Sequence, residues 1–376
     1  MFDHQHYVPV MRMKPAELRA LRALDPTLRL VTTPLLECPP RVLRGCDTTF
    51  MLERRAVRFV QHLAGWSGQR LFLDFSMLSS HMVGPALDSI TKHLVSAGVR
   101  PVLVVSLKWG TESSHSRAVQ RVQDDRGTAI CLRLSPEELR LSRSEDLIHQ
   151  RLAFFGANPA STDLVVDRGC VDGQSVTYEE FAELIPWQNS WQTITCLAGS
   201  FPEDLARLTR GKIHRLARFE WRQWRSLQSW PGRRPAFGDY AIQHVLFKEP
   251  VAVPNYSASI RYTVENDFVV LRGEGVLNEN GPGFDQYNGW AKLLLDMPEY
   301  FGASFSAGDE YVAERASNWR SSGNAQSWLQ AGFSHHVTAT ALQVVGLLQM
   351  VRQVAATPDA PRWSAVVDVA TPHAVV

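Results

Sequence analysis

The sequence lacks the signatures of several large protein classes. Its five cysteines are odd in number and scattered, which excludes a disulfide framework. Cys38 and Cys46 are the one close pair, without CxxC spacing or a second ligand pair, so spacing assigns no zinc or other metal set. No apolar run approaches the roughly 18 residues of a membrane span, and no membrane partner is expected. Met1 to Lys14 carries Asp3, His4 and His6 ahead of any apolar run, unlike a secretory leader, so a reducing, cytoplasmic location is expected. A dominant sign of charge is missing as well: 39 Lys and Arg against 38 Asp and Glu leave +1. That balance argues against a surface built throughout for nucleic acid, but not against a local patch. No GxGxxG follows the first apolar run and no Walker sequence occurs, which disfavours a Rossmann domain and a P-loop NTPase. GxSxG and HExxH are absent too.

What is present is a chain of 376 residues, 45% apolar, enough for a real core and against low-complexity disorder. Its length suits two or three domains of roughly 150 residues, or one barrel of about 250 with an appendage. Eight short apolar runs alternate with helical spacing over the first 240 residues. They are Tyr7–Met13, Leu28–Leu36, Arg70–Phe75, Pro101–Leu107, Thr128–Leu134, Asp163–Asp167, Gln192–Ala198 and Ala236–Ile242. Most are nearly continuous (Leu71-Phe72-Leu73, Val102-Leu103-Val104-Val105), as strands covered on both faces require. Helical segments are expected from Pro15, over Thr48–Leu63, after Ser135-Pro136-Glu137-Glu138, over Thr177–Leu184 and from Pro202 to Leu208. This predicts an α/β fold, a (β/α) TIM-like barrel over 1–243. An open doubly wound sheet is the rival. Beyond it, over 244–376, runs around Glu265-Asn266-Asp267 predict a β-hairpin, then helices near Asp285–Leu295, Ala307–Ser317 and Val337–Arg352, packed on the barrel. One further strand is expected at Ser364–Val369.

In a parallel barrel, chemistry gathers where strands end. The runs end at Lys14, Glu37, Asp74, Lys108, Arg133, Asp167, Ser200 and Asp239. Carboxylates and cations converging on one face can hold a phosphate or polar substrate and perturb each other's pKa, or can simply neutralise one another as a structural network. Gly238-Asp239-Tyr240 adds an acceptor and a hydroxyl beside a glycine that lets backbone approach closely, unless it is a plain turn.

Residues 210–234 are strongly basic. Read as a helix, Ile213, Leu216, Trp221 and Trp224 share one side and Arg215, Arg218, Arg222 and Arg225 the other. That ridge is either a solvated face or a patch for nucleic acid or an acidic partner. Glu220 falls in the apolar stripe, as an ion-pair anchor or part of a pocket. Eleven tryptophans are an excess, and Trp187, Trp191, Trp221, Trp224 and Trp230 crowd near the ridge as a packing cluster rather than a stacking platform. Ser334 is a plausible N-cap for a helix carrying His335 and His336, which point different ways and so make no metal pair.

Four segments together resemble the bacterial and phage "beta protein" family. They are the opening His6-Tyr7-Val8-Pro9-Val10-Met11-Arg12-Met13-Lys14-Pro15-Ala16-Glu17-Leu18, Phe237-Gly238-Asp239-Tyr240, the hairpin with Ser259-Ile260-Arg261-Tyr262 and Val269-Val270-Leu271-Arg272-Gly273, and Trp328 through His336. The resemblance implies occurrence in phages, prophages and bacterial mobile or defence-like loci. It supplies no catalytic residues, but places Lys14, Asp239, Tyr240, Arg261, Arg272 and His335 in recurring motifs.

The first functional expectation is a phage- or defence-associated barrel whose charged mouth binds a small anionic, phosphate- or nucleotide-like ligand. Glu37, Tyr240, Arg272 and His335 are further candidate contacts. If the mouth is hydrolytic, Asp74, Asp167 and Asp239 are its carboxylates and Lys14, Arg133 and Arg261 its charge stabilisers. A hydrated divalent metal would suit phosphoester chemistry there. The second is a non-catalytic protein- or nucleic-acid-binding module using the basic stretch. A dehydrogenase or aldolase-like enzyme fits less well, with no phosphate-binding glycine loop and no lysine clearly within a strand.

Overall fold

The computed structural model describes residues 2–174, 178–229, 232–248, 255–318, 320–355 and 363. Trp230 and the expected strand Ser364–Val369 lie outside the described residues. The chain forms two compact units: Met1–Met13 with Thr32–Gly199 and Phe219–Tyr240, and Lys14–Val31 with Ser200–Arg218 and the residues from Ala241 on.

The first unit is a closed barrel of eight parallel strands. These are β1 (Tyr7–Arg12), β2 (Leu35–Glu37), β3 (Arg70–Asp74), β4 (Arg100–Val105), β5 (Ala129–Leu134), β6 (Asp163–Cys170), β7 (Thr193–Gly199) and β9 (Ala236–Asp239), with β9 returning to β1. All eight expected runs supply a strand. The second is shorter than expected because the helix Pro26–Arg29, capped by the Asp25 carboxylate, takes Leu28 and Arg29. Burial on both faces explains the continuous apolar runs: Leu71, Phe72 and Leu73 are all buried, as are Val102 to Val105. Closure of β9 depends on Gly238, where a Cβ would lie 3.0 Å from Thr195 Cγ2 and 3.2 Å from the Val8 carbonyl oxygen.

The surrounding helices carry ordinary end signals. The capped start expected at Ser135 is there, as a capping box of Ser135 and Glu138 ahead of Pro136–Leu139. The helix Ser114–Arg126 starts at the Ser113 side chain and stops at Gly127, φ +63°. The helix Phe219–Leu227 buries Trp221 and Trp224, whose rings stack at 5.1 Å and meet Phe237 of the barrel. These tryptophans are packing, as the sequence suggests.

The second unit holds a three-stranded antiparallel sheet, order β10 (Ser257–Thr263), β11 (Asp267–Gly275), β8 (Lys212–Ala217). The hairpin is the expected one. The outer strand β8 corrects the reading of 210–234 as one helix. Lys212–Ala217 pairs with Asp267–Arg272, and a helix begins only at Phe219. Ile213 and Leu216 fit a helical period and not a strand's alternation, and Ile213 stays exposed; pairing with β11 overrides the period. Pro202–Leu208 forms turns rather than the expected helix. Helices Pro15–Ala23 and Ala307–Ser317 pack against the long helix Ala325–Val344. That helix starts at a capping box of Asn324 and Ser327, so Ser334 lies mid-helix and is not its N-cap.

Opposite the strand ends, the barrel floor is sealed by an Arg70–Asp163 ion pair, with Thr193 donating to Asp163, and by His6 against the Thr33 hydroxyl at 2.8 Å. Burial, aided by the Arg70 charge, pulls the His6 pKa down to about 3. An unfolded chain titrates this group near 6.5, so between pH 6.5 and 3 the unfolded state holds the extra proton. Stability is therefore expected to fall as pH drops through that window, by up to about 1.4 kcal/mol per unit from this one group. Chemical denaturation at pH 6.5, 6 and 5 checks it: His6→Asn should flatten the slope, and an unchanged slope would assign it elsewhere.

Candidate functional site

The strand ends of the barrel bring five of the expected residues into one cluster. The parallel register sets Arg12 beside Glu37 and Glu37 beside Asp74 across β1, β2 and β3. From β5, Arg133 reaches side chains on β2, β3 and β6 and just beyond β9. A side chain can do this only from inside a closed barrel.

Arg133 uses every N–H it has. Its Nη1 donates to Glu37 Oε1 at 3.0 Å and to Asp74 Oδ2 at 2.6 Å. Its Nε and Nη2 donate to Asp167 Oδ2 at 3.0 and 2.8 Å, and Nη2 also donates to the Tyr240 hydroxyl at 2.7 Å. A guanidinium has five donors, and here each has an acceptor. The Tyr240 hydroxyl in turn donates to Asp167 Oδ2 at 2.6 Å. Backbone turns hold the other carboxylate oxygens: Ser76 N donates to Asp74 and Gly169 N to Asp167. Arg12 stands 3.5 Å from Glu37 Oε2.

The surroundings tune these groups. Burial raises the Glu37 pKa and neighbouring Asp74 pushes it the same way, against the pull of Arg133 and Arg12. Desolvation alone would lower the Arg133 pKa, but Tyr240, Asp167, Glu37 and Asp74 raise it well above its ordinary value. Burial, reinforced by Asp167, keeps the Tyr240 hydroxyl protonated far above the usual phenol range. Glu37 and Asp74 are sealed at 3% side-chain exposure, whereas Arg133 and Asp167 keep 13% and 15% and form the accessible rim.

Asp239 lies at the end of β9 and accepts from the Tyr7 hydroxyl at 2.7 Å. It is buried, and the chain turns sharply just after it: Ala241 holds φ +51°, costing about 1 kcal/mol for a residue with a Cβ. Arg12 and Tyr7 were not singled out in the sequence. Both lie on the first expected run, and only the register of the closed barrel brings Arg12 to Glu37 and Tyr7 to Asp239. Lys108 is exposed and Ser200 donates to the Ala217 carbonyl in the second unit. Among the described residues no group of three or more His, Cys, Asp or Glu is placed to hold a metal ion. Burial raises the thiol pKa of Cys38, Cys131 and Cys196, which makes them poor nucleophiles at neutral pH.

The remaining candidates belong to the second unit. Lys14 ends β1's connection as the residue before helix Pro15–Ala23, with its ammonium 4.9 Å from the Phe247 ring. Arg261 donates to the Ile242 carbonyl at 2.7 Å and lies over the Phe201 ring, and burial lowers its pKa to about 10. Arg272 is buried in β11, and burial lowers its pKa too. His335 sits in a buried network. Its Nδ1 is 2.9 Å from Asp309 Oδ2 and its Nε2 2.7 Å from the Thr263 carbonyl oxygen. Tyr262 donates to Asp309 Oδ1 at 2.7 Å and stacks on the imidazole at 3.7 Å, while Ser306 donates to Asp309 Oδ2. His336 faces the Thr263 hydroxyl at 2.8 Å. These contacts read as structure, not chemistry.

The basic set is divided. Arg218 is fully buried, donating to Gln343 and Thr340, and Arg215 pairs with Glu299 at the surface of the second unit. Arg222 and Arg225 are exposed on the helix Phe219–Leu227 of the first unit, whose first turn buries Glu220. The four arginines share no helical face.

Among the described residues no helix is long and apolar enough to cross a membrane. In comparisons with known proteins, the model of the Beta protein family matches residues 7–341. No curated protein matches the chain.

Proposed function

This chain belongs to the Beta protein family, and on that footing we propose that its barrel mouth binds a small polar ligand through carboxylates. The ligand class is one rich in N–H donors or positive charge, such as an amine or guanidinium. One observation carries the reading: all five N–H groups of Arg133 are engaged by Glu37, Asp74, Asp167 and Tyr240. An anion, the ligand class expected from the sequence, would have to break contacts of this set to reach the guanidinium. The carboxylates, in contrast, keep acceptor capacity. Glu37, Asp74 and Asp167 stand against Arg133 and Arg12, which leaves one negative charge over. Asp167 is the accessible member and the natural first contact. A cation arriving near Glu37 would favour its ionised form, against the burial that raises its pKa.

Thermal unfolding with agmatine or inorganic phosphate as probe tests this. Agmatine is expected to stabilise the chain, by about 2.7 kcal/mol at a hundredfold excess over its Kd. Asp167→Asn should abolish that gain. Stabilisation by phosphate that depends on Arg133, with none by agmatine, would overturn the proposal.

A further inference from the structure

The helix Thr49–His62 has two unlike faces. Leu52, Ala56 and Phe59 are buried against the first unit. The other face leaves Phe50 69% exposed, Met51 49% and Val57 40%, alongside exposed Arg54 and Arg58. Phe50, Arg54, Val57 and Arg58 follow one another at helical spacing, so they stand together on one side. The Arg54 guanidinium lies 5.7 Å from the centre of the Phe50 ring. The segment leading into the helix adds exposed Arg41 and Arg44, and it is fastened to the helix by Arg55, which donates to the Val42 carbonyl at 2.8 Å.

The charge here is one-sided. Residues 41–61 hold Arg41, Arg44, Arg54, Arg55 and Arg58 against Asp47 and Glu53. Glu53 is taken up by His93 and Lys92, and its pKa is lowered chiefly by the His93 contact. Among the described residues, no ion pair is formed by Arg41, Arg44, Arg54 or Arg58. A chain of net charge +1 therefore concentrates unneutralised arginine around an exposed aromatic ring.

We propose that this face binds single-stranded nucleic acid, with the arginines on successive phosphates and Phe50 as a stacking platform for a base. A planar guanidinium matches phosphate bidentately, and an aromatic ring accepts any base. This set shares no residue with the barrel mouth or with the 210–234 stretch. A lipid surface fits less well, because inserting the ring would draw the flanking Arg54 and Arg58 guanidiniums out of water. An acidic protein would use the arginines but leaves the exposed ring without a role.

Fluorescence anisotropy with labelled dT20 and rU20 on the full chain provides the test. Binding is expected, weakening with salt at a log–log slope of about −3, which corresponds to four phosphates at roughly −0.7 each. Arg54→Glu with Arg58→Glu should abolish it. Phe50→Ala should weaken it about tenfold while leaving most of the salt slope, since stacking is not ionic. The substituted side chains are exposed, so thermal melts should match wild type. Three results would overturn the proposal: no binding to either strand at low salt, binding unchanged in the double Glu variant, or retention only by vesicles containing phosphatidylglycerol.

Discussion

Replacing Arg133 with Met is expected to lower the unfolding free energy by about 3–5 kcal/mol, the usual consequence of removing one partner from a buried charge cluster. The reason is specific. Arg133 is the hub on which Glu37, Asp74, Asp167 and Tyr240 converge, and without it carboxylates face each other in a half-closed site. Arg133→Lys should recover only part of the loss, because one ammonium cannot span acceptors on β2, β3 and β6 at once. Adding Glu37→Gln and Asp74→Asn to the Met variant should restore part of the stability, since it removes the uncompensated charges themselves. Urea titrations of the four proteins check this. A Met variant within about 1 kcal/mol of wild type would mean that the cluster is not held by its arginine.

The second large effect belongs to the second unit. Asp309→Ala is expected to cost about 3–5 kcal/mol. Asp309 is fully buried and receives the hydroxyls of Tyr262 and Ser306 and the Nδ1 side of His335. Its loss orphans three polar groups in a fully buried setting. It also sits in the first turn of the helix Ala307–Ser317, where a negative charge is favourable. That turn packs very tightly on the long helix: a Cβ on Gly308 would overlap the Ala331 carbonyl, so the backbone has little freedom to adjust. Asp309→Asn, which keeps one acceptor and the shape, should cost less. Thermal and urea unfolding of both variants distinguish the cases, and an Ala variant as stable as the Asn variant would argue against the network.

The barrel was legible because parallel strands buried on both faces leave unbroken apolar runs; only the second run, Leu28–Leu36, gave way in part to a helix. The residues at their ends were legible for the same reason, and Glu37, Asp74, Arg133, Asp167 and Tyr240 do converge. What the sequence hid was how they pair. Arg133 reads as a free cation in a list of strand ends, and only closure of the barrel shows three carboxylates on it. The basic stretch misled because Ile213, Leu216, Trp221 and Trp224 satisfy a helical period across a break. Hydrogen bonding to β11, a partner some 55 residues away, makes the first part a strand. Asp309 left a faint mark, three residues after Ser306 in the manner of a capping signal, whereas nothing local announces that Tyr262 and His335 come to meet it.

The claim that the mouth recognises ligands through its carboxylates has one direct measurement: a crystal structure grown with agmatine and inorganic phosphate both present. The expected result places the guanidinium or amine of agmatine within hydrogen-bond distance of Asp167, with the five contacts of Arg133 intact. A phosphate seated on Arg133, with Asp167 or Glu37 turned away, would contradict it.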